Sequence, residues 1–340
     1  MGERRIVDYS IVFIAVVLFV LVLSTLQSFL RPFFLALVLS FLLMPIIRWL
    51  KKWRIPLWLT LALLVILVLS SVFLLGSLLQ DDTSALIAAV SRRATQIDET
   101  IASLNEAASL LAGDGVDISI YLDPDKVSGI IIGSVSTLVS GLGVLLSELL
   151  LVLLFLMFII PSYDLTVTGA KRDMKEINAD RLQSMISKVE RSVRAYLATK
   201  TLISLATAVA SGILLTLFGA KFIILFMMLT FLLNYIPNIG SFVAVAITVA
   251  VYMMTAGIGW PAAILLVLLA AVQFIFGSIL EPKMAGKRLR LSPMVILLGL
   301  LFWGWVWGVI GMLLAVPLTS IVKIILEHFE STKTIAKIIS

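Results

Sequence analysis

Asn234, Pro237, Asn238 and Gly240 stand together in the stretch Asn-Tyr-Ile-Pro-Asn-Ile-Gly, inside a run from Phe222 to Leu280 that carries no charged residue. An amide side chain donates and accepts hydrogen bonds, which suits a neutral hydroxylated solute. Pro removes a backbone donor and Gly relaxes the helix. Lipid tolerates such a break only beside protein or a water-filled cavity. The stretch therefore reads as a solute site or a gate. Gln273 is the remaining amide of the run. Amides also bind helices together, at roughly 0.6 kcal/mol per bond on average in membranes. For Gln273 alone that is the better reading. For Asn234 and Asn238, flanking Pro237, the break favours function.

Ionisable residues at membrane depth are functional candidates by default. Glu281 ends an apolar segment, beside Pro282 and Lys283. It reads either as an ion pair with Lys283 that pins the cytoplasmic end, or as a coupling carboxylate. Glu148 reads as an interfacial acid near the outer face. Lys200 and Lys221 read as cations that snorkel to the interface. The chain has no P-loop sequence, no Cys and a single His, His328. A nucleotide-hydrolysing loop, a Ser-His-Asp triad and a thiolate metal site are therefore not expected. We expect no catalytic residue, no cofactor and no metal, and no enzyme.

The elements that hold these residues follow from composition. The chain has 340 residues, 61% hydrophobic and 14% charged, with a mean hydropathy of +1.14. Soluble domains average roughly 45–50% apolar and about 25% charged. The apolar runs are continuous, where a barrel strand would alternate, so the class is an all-α polytopic membrane protein. The runs are Ile11–Leu30, Phe33–Ile47, Ile55–Leu79, Ile130–Ile160, Thr201–Phe218, Phe222–Ile236, Ser241–Met254, Pro261–Leu280 and Met294–Val322. Several are short for a span of about 20 residues, a weak pointer to a transporter site.

The net charge of +6 does not point to nucleic acid, because the basic residues flank apolar runs. Residues 161–200 hold eight basic residues, whereas 80–128 hold nine acids and three basic residues. The positive-inside rule places the N-terminus, 48–54, 161–200 and 281–290 in the cytoplasm, and 80–128 outside. From there, Thr201–Phe218 runs outward and Lys283 lies inside, so three short crossings are expected, turning at Asn234–Gly240 and at Ala256–Pro261. Met294–Val322 is too long for one straight span, and its four glycines favour a hairpin or broken helix over simple tilt. Trp303, Trp305 and Trp307 read as an interfacial belt. Narrow apolar stripes, Leu86 to Leu111 and Leu182 to Tyr196, read either as subunit contacts or as helices lying on their own domain.

The expected organisation is N-terminal transmembrane helices over 1–79, an extracytoplasmic amphipathic helical region over 80–128, and a transmembrane helix over 129–160. A cytoplasmic amphipathic helical region follows over 161–200, then a C-terminal transmembrane transport core over 201–325 and a cytoplasmic tail over 326–340.

Leu233-Asn234-Tyr235-Ile236-Pro237-Asn238-Ile239-Gly240-Ser241 resembles the Pro-x-x-Gly motif of the AI-2E family, the autoinducer-2 exporters. Phe276-Gly277-Ser278-Ile279-Leu280-Glu281-Pro282-Lys283 resembles its Glu-Pro motif. The likeness continues through Gly286-Lys287-Arg288-Leu289, Leu291-Ser292-Pro293, Phe302-Trp303-Gly304-Trp305 and Gly311-Met312-Leu313-Leu314-Ala315-Val316-Pro317-Leu318-Thr319. It implies a multi-pass bacterial inner-membrane protein of about seven or eight spans, each of about 20 residues, with broken or re-entrant C-terminal segments. It also implies secondary transport by a homo-oligomeric ring, a pentamer being the first expectation. Asn238 is similar to the branch that exports autoinducer-2, a small polar molecule of cyclic diol type. The leading functional expectation is export of that quorum-sensing signal. Sodium(cation)/proton antiport through Glu281 or Glu148, and an oligomeric membrane scaffold, are the alternatives.

Overall fold

Continuous apolar sequence leaves the backbone one economical arrangement in lipid, in which each amide bonds within its own segment. The computed structural model describes residues 2–70, 148–162, 176–257, 259–285 and 291–328, with isolated positions at 73, 77, 85, 129, 133, 137 and 140. Among the described residues every regular element is a helix. The chain is a polytopic helical membrane protein. In order, the helices are α1 (Gly2–Thr25), α2 (Gln27–Lys52), α3 (Leu57–Ser70), α4 (Glu148–Ser162), α5 (Glu176–Leu217), α6 (Ile223–Leu233), α7 (Ile239–Ala256), α8 (Trp260–Gln273), α9 (Glu281–Ala285) and α10 (Pro293–His328). The Leu86–Leu111 stripe, the Gly286–Leu289 motif and the end of the tail lie outside the described residues.

The chain forms two compact units. The first comprises Met1–Ile66, Leu145–Thr199 and Ala285–Ser340; the second comprises Leu67–Val144 and Lys200–Met284. In the first unit, Ala36 and Ile47 of α2, Leu61 of α3, and Val152, Leu156 and Ile160 of α4 bury one another. Phe155 meets Phe29 and Phe33 edge-on, at 5.1 and 5.5 Å between ring centres. Charges of this unit are tied across helices. Glu190 of α5 receives Arg48 of α2 and Arg194, each at 3.3 Å. Lys188 of α5 pairs with Glu327 of α10.

The long run after Met294 folds as a broken helix. Gly308 takes φ 66° and ψ −145°, outside helical space. The indole of Trp303 donates to Thr319 Oγ1 at 3.3 Å, although sixteen residues of straight helix would separate them by about 24 Å. The two arms therefore run back along each other. Glycines set their spacing: a Cβ on Gly299 would meet Thr319, one on Gly304 would meet Met312, and one on Gly311 would overlap the Trp303 carbonyl. Trp307 is fully buried and donates its indole N–H to the Leu23 carbonyl at 3.0 Å. It contacts Phe34 as well. Trp303 and Trp307 thus belong to the interior of this unit rather than to an interfacial belt, while Trp305 remains exposed.

In the second unit the chain leaves α5 through a turn at Gly219, with φ 62°, and enters α6 through Phe222, also at positive φ. Gly212 of α5 packs on Met227 of α6. Helix α6 packs on α7, and α7 on α8. The Tyr252 hydroxyl of α7 donates to the Phe218 carbonyl at 3.2 Å. Helix α6 has 11 residues, about 16 Å of rise, roughly half a hydrocarbon core. It is shorter still than the short crossing expected of Phe222–Ile236, because the chain leaves the helix at Asn234 and begins it one residue late.

Candidate functional site

Helix α5 carries the polar side chains around which the site is built. From Lys200 onward, residues 200, 204, 207 and 211 recur at intervals of four, three and four, which places Lys200, Ser204, Thr207 and Ser211 on one face. All four are buried. Thr207 returns its hydroxyl to the Ile203 carbonyl at 2.8 Å, the usual way a membrane helix satisfies a hydroxyl locally. Lys200 and Ser204 reach across to other elements.

Asn234 sits where α6 ends and is only 2% exposed. Its Nδ2 donates to Ser204 Oγ at 3.1 Å, and its Oδ1 accepts from Ser241 Oγ of α7 at 3.3 Å. One amide therefore joins α5, the end of α6 and α7. Next to it, Tyr235 and Thr201 share a hydroxyl–hydroxyl bond of 2.7 Å. The turn between α6 and α7 closes tightly. The Gly240 N–H reaches the Ile236 carbonyl at 3.2 Å, and a Cβ on Gly240 would overlap the Leu233 carbonyl. Asn238 adopts φ 61°, a conformation that Asn accepts more readily than most residues. Its side chain is exposed, and Pro237 is half-buried.

Between α8 and α9 the chain widens into a π-helix over Phe274–Leu280. The Glu281 N–H bonds to the Phe276 carbonyl, five residues back. Pro282 cannot continue a regular ladder, since it lacks a donor and its ring collides with the carbonyl four residues earlier. The wider turn before it leaves that ring room. Such π-turns cluster at functional positions. Here the turn delivers Glu281 to Lys200, whose ammonium donates to both carboxylate oxygens at 2.7 and 2.8 Å. Lys200 is 4% exposed. Glu281 therefore pairs with Lys200 on α5, and not with Lys283, which is exposed. The reason is geometric. Residues two apart on a helix face different directions, whereas the π-turn aims Glu281 across the unit. Lys200 is accordingly a buried partner rather than a snorkelling cation.

The structure joins some expected residues and separates others. Asn234, Tyr235, Ser204 and Ser241 form one cluster with Thr201, while Lys200 and Glu281 lie at the start of the same α5 face. Asn238 lies outside that cluster, in the turn. Gln273 makes no bond to it among the described residues; its Oε1 is buried without a hydrogen-bond partner. Thr201, Ser204, Tyr235 and Ser241 were missed by sequence reasoning. The available signal was the helical spacing of small hydroxyl residues after Lys200 in an otherwise apolar segment. Among the described residues no group of three or more His, Cys, Asp or Glu side chains gathers as metal ligands would. The chemistry on offer is uncharged hydrogen bonding, closed at one end by an ion pair.

Known proteins resemble this chain over most of its length. The family model described as "AI-2E family transporter" matches residues 11–331. "AI-2 transport protein TqsA" of Escherichia coli (strain K12) is 32% identical over 316 residues, covering 91% of this chain and 88% of that protein. A "Putative transport protein" of Haemophilus influenzae is 32% identical over 313 residues, covering 88% and 87%. "Putative transport protein YhhT" of Escherichia coli (strain K12) is 27% identical over 307 residues, covering 89% and 85%. These are transport proteins, not enzymes. With matches of this length joined to a multi-pass helical fold, the chain belongs to the AI-2E family of membrane transporters.

Proposed function

We propose that this transporter exports a small, neutral, hydroxylated molecule, and that autoinducer-2 is its solute. One observation supports this most: the buried Asn234 amide bonds only to hydroxyls, Ser204 and Ser241, beside the Thr201–Tyr235 pair. These groups donate and accept without carrying charge, which matches a polyol and offers little to a bare cation. A relative 32% identical over 91% of the chain bears the name of an autoinducer-2 transport protein.

In this reading the turn from Asn234 to Gly240 is the gate. Asn234 exchanges its protein hydroxyls for those of the solute, Pro237 and Asn238 let the turn flex, and Gly240 keeps it tight when shut. Gln273 offers a further carbonyl along the pathway. Glu281 and Pro282 hold the cytoplasmic end through Lys200, and Lys283 faces the headgroups. The N-terminus is cytoplasmic, the membrane is the bacterial inner membrane, and the working form is a ring of identical subunits.

The test is uptake by everted membrane vesicles, in which export becomes accumulation. Wild-type vesicles are expected to accumulate autoinducer-2, and Asn234→Leu vesicles with equal protein content are expected not to. Equal accumulation by wild-type, Asn234→Leu and transporter-free vesicles refutes the reading.

A further inference from the structure

The first unit holds an ion pair, at the buried carboxylate of Glu148, that the solute site does not use. Glu148 begins α4 and is 8% exposed. Its Oε1 lies 3.4 Å from an Arg31 terminal nitrogen, and its Oε2 is buried with no hydrogen-bond partner among the described residues. Arg31 is itself divided, because its Nε donates to the Gln27 carbonyl at 3.3 Å on its own helix. Among the described residues Arg31 is the charged side chain that meets Glu148. The aromatic contacts of Phe155 with Phe29 and Phe33 hold α4 against α2.

This arrangement suits two charge states. An ionised carboxylate out of water needs both oxygens satisfied, and leaving one bare costs much of its desolvation energy. A neutral carboxyl in the same place loses far less. A single long contact to an arginine that is also held elsewhere can be given up and remade. A metal ion is a poorer occupant, since one carboxylate beside a guanidinium supplies neither the ligands nor the charge.

We propose that Glu148 is a proton-binding site of this transporter, loading and releasing a proton against Arg31 during the transport cycle. On loading, a proton from water forms an O–H bond at Oε2, and the pair passes from net zero to the single positive charge of Arg31. The guanidinium, no longer facing a carboxylate, then favours water or a headgroup. On release the proton returns to water and the pair re-forms. Proton passage and the positions of α2 and α4 are coupled in this way, whatever solute the other unit carries.

The direct test is infrared difference spectroscopy on the full chain reconstituted in lipid, comparing acidic with alkaline buffer. We expect the protonated-carboxyl signal that rises on acidification to contain a component that Glu148→Gln removes and that Glu148→Asp shifts in frequency. The Asp variant keeps the test sound should the Gln variant fold poorly. Loss or shift of that component supports a proton site, and this readout requires no solute, so it stands apart from the identity of the cargo. A protonated-carboxyl signal identical to wild type in both Glu148→Asp and Glu148→Gln shows an ordinary ion pair and overturns the proposal.

Discussion

Glu281 and Glu148 each meet a cation across helices, and they meet it differently. Glu281 receives both of its bonds from Lys200 at 2.7 and 2.8 Å. Glu148 receives one contact from Arg31 at 3.4 Å, and among the described residues its other oxygen has no partner. The tight pair contains the lysine, which rotates three donors about one point. The loose pair contains the arginine, whose planar fork could have served both oxygens. The difference thus comes from placement rather than residue type. The π-helix before Pro282 aims Glu281 at α5, while Arg31 is held back by its own helix. One pair is built as a pin and the other as a charge that can change state.

The largest expected effect separates the two. Replacing Lys200 by Met, or Glu281 by Gln, strands or unbalances a buried charge and is expected to cost about 3–5 kcal/mol. Thermal unfolding of the purified protein, followed by fluorescence-detected size exclusion, measures this. The double substitution Lys200→Met with Glu281→Gln is expected to regain much of that loss, as removal of a whole pair does. If either single variant is as stable as wild type, Glu281 is not a pin.

Next in size is Gly240→Ala, which presses a methyl on the Leu233 carbonyl at the turn between α6 and α7. We expect a cost of about 1–3 kcal/mol, as for other overpacked sites, together with loss of transport. Stability near wild type with full transport would show that the turn opens freely and needs no tight closure.

Asn234→Ala removes two side-chain bonds, to Ser204 and from Ser241, and we expect about 1–2 kcal/mol at about 0.6 kcal/mol per membrane bond plus lost packing. Transport should fall further than stability does. Parallel loss of both would make Asn234 a strut of the turn.

The smallest effect is expected at the loose pair. Glu148→Gln keeps a carbonyl for Arg31 and removes the bare anionic oxygen, so its stability should stay within about 1 kcal/mol of wild type. Its transport should lose pH dependence. A large loss of stability here would make the two pairs alike and remove the contrast.

The helical membrane class was legible from composition alone, because sustained apolar runs admit few structures in lipid. The break at Asn234–Gly240 was legible because Pro and Gly act locally. The broken helix at Gly308 followed from a run too long for a bilayer. The partner of Glu281 was not legible, since an adjacent Lys283 offered a nearer pairing in sequence and the π-turn that aims Glu281 elsewhere leaves no composition signal. Asn234 looked available to solute, yet its partners Ser204 and Ser241 are common residues whose convergence only the packing of α5 on α6 and α7 reveals. Trp303 and Trp307 looked interfacial because tryptophans near helix ends usually are, and the fold-back at Gly308 turned them inward.

Flux of autoinducer-2 into proteoliposomes holding only the purified chain, with and without an imposed proton gradient, tests the central claim most directly. We predict entry above that of empty liposomes, at a rate that responds to the imposed gradient in wild type and not in Glu148→Gln. Autoinducer-2 movement equal to that of empty liposomes at every gradient, with sodium driving proton movement in the same preparation, would contradict the account and make the chain a cation antiporter.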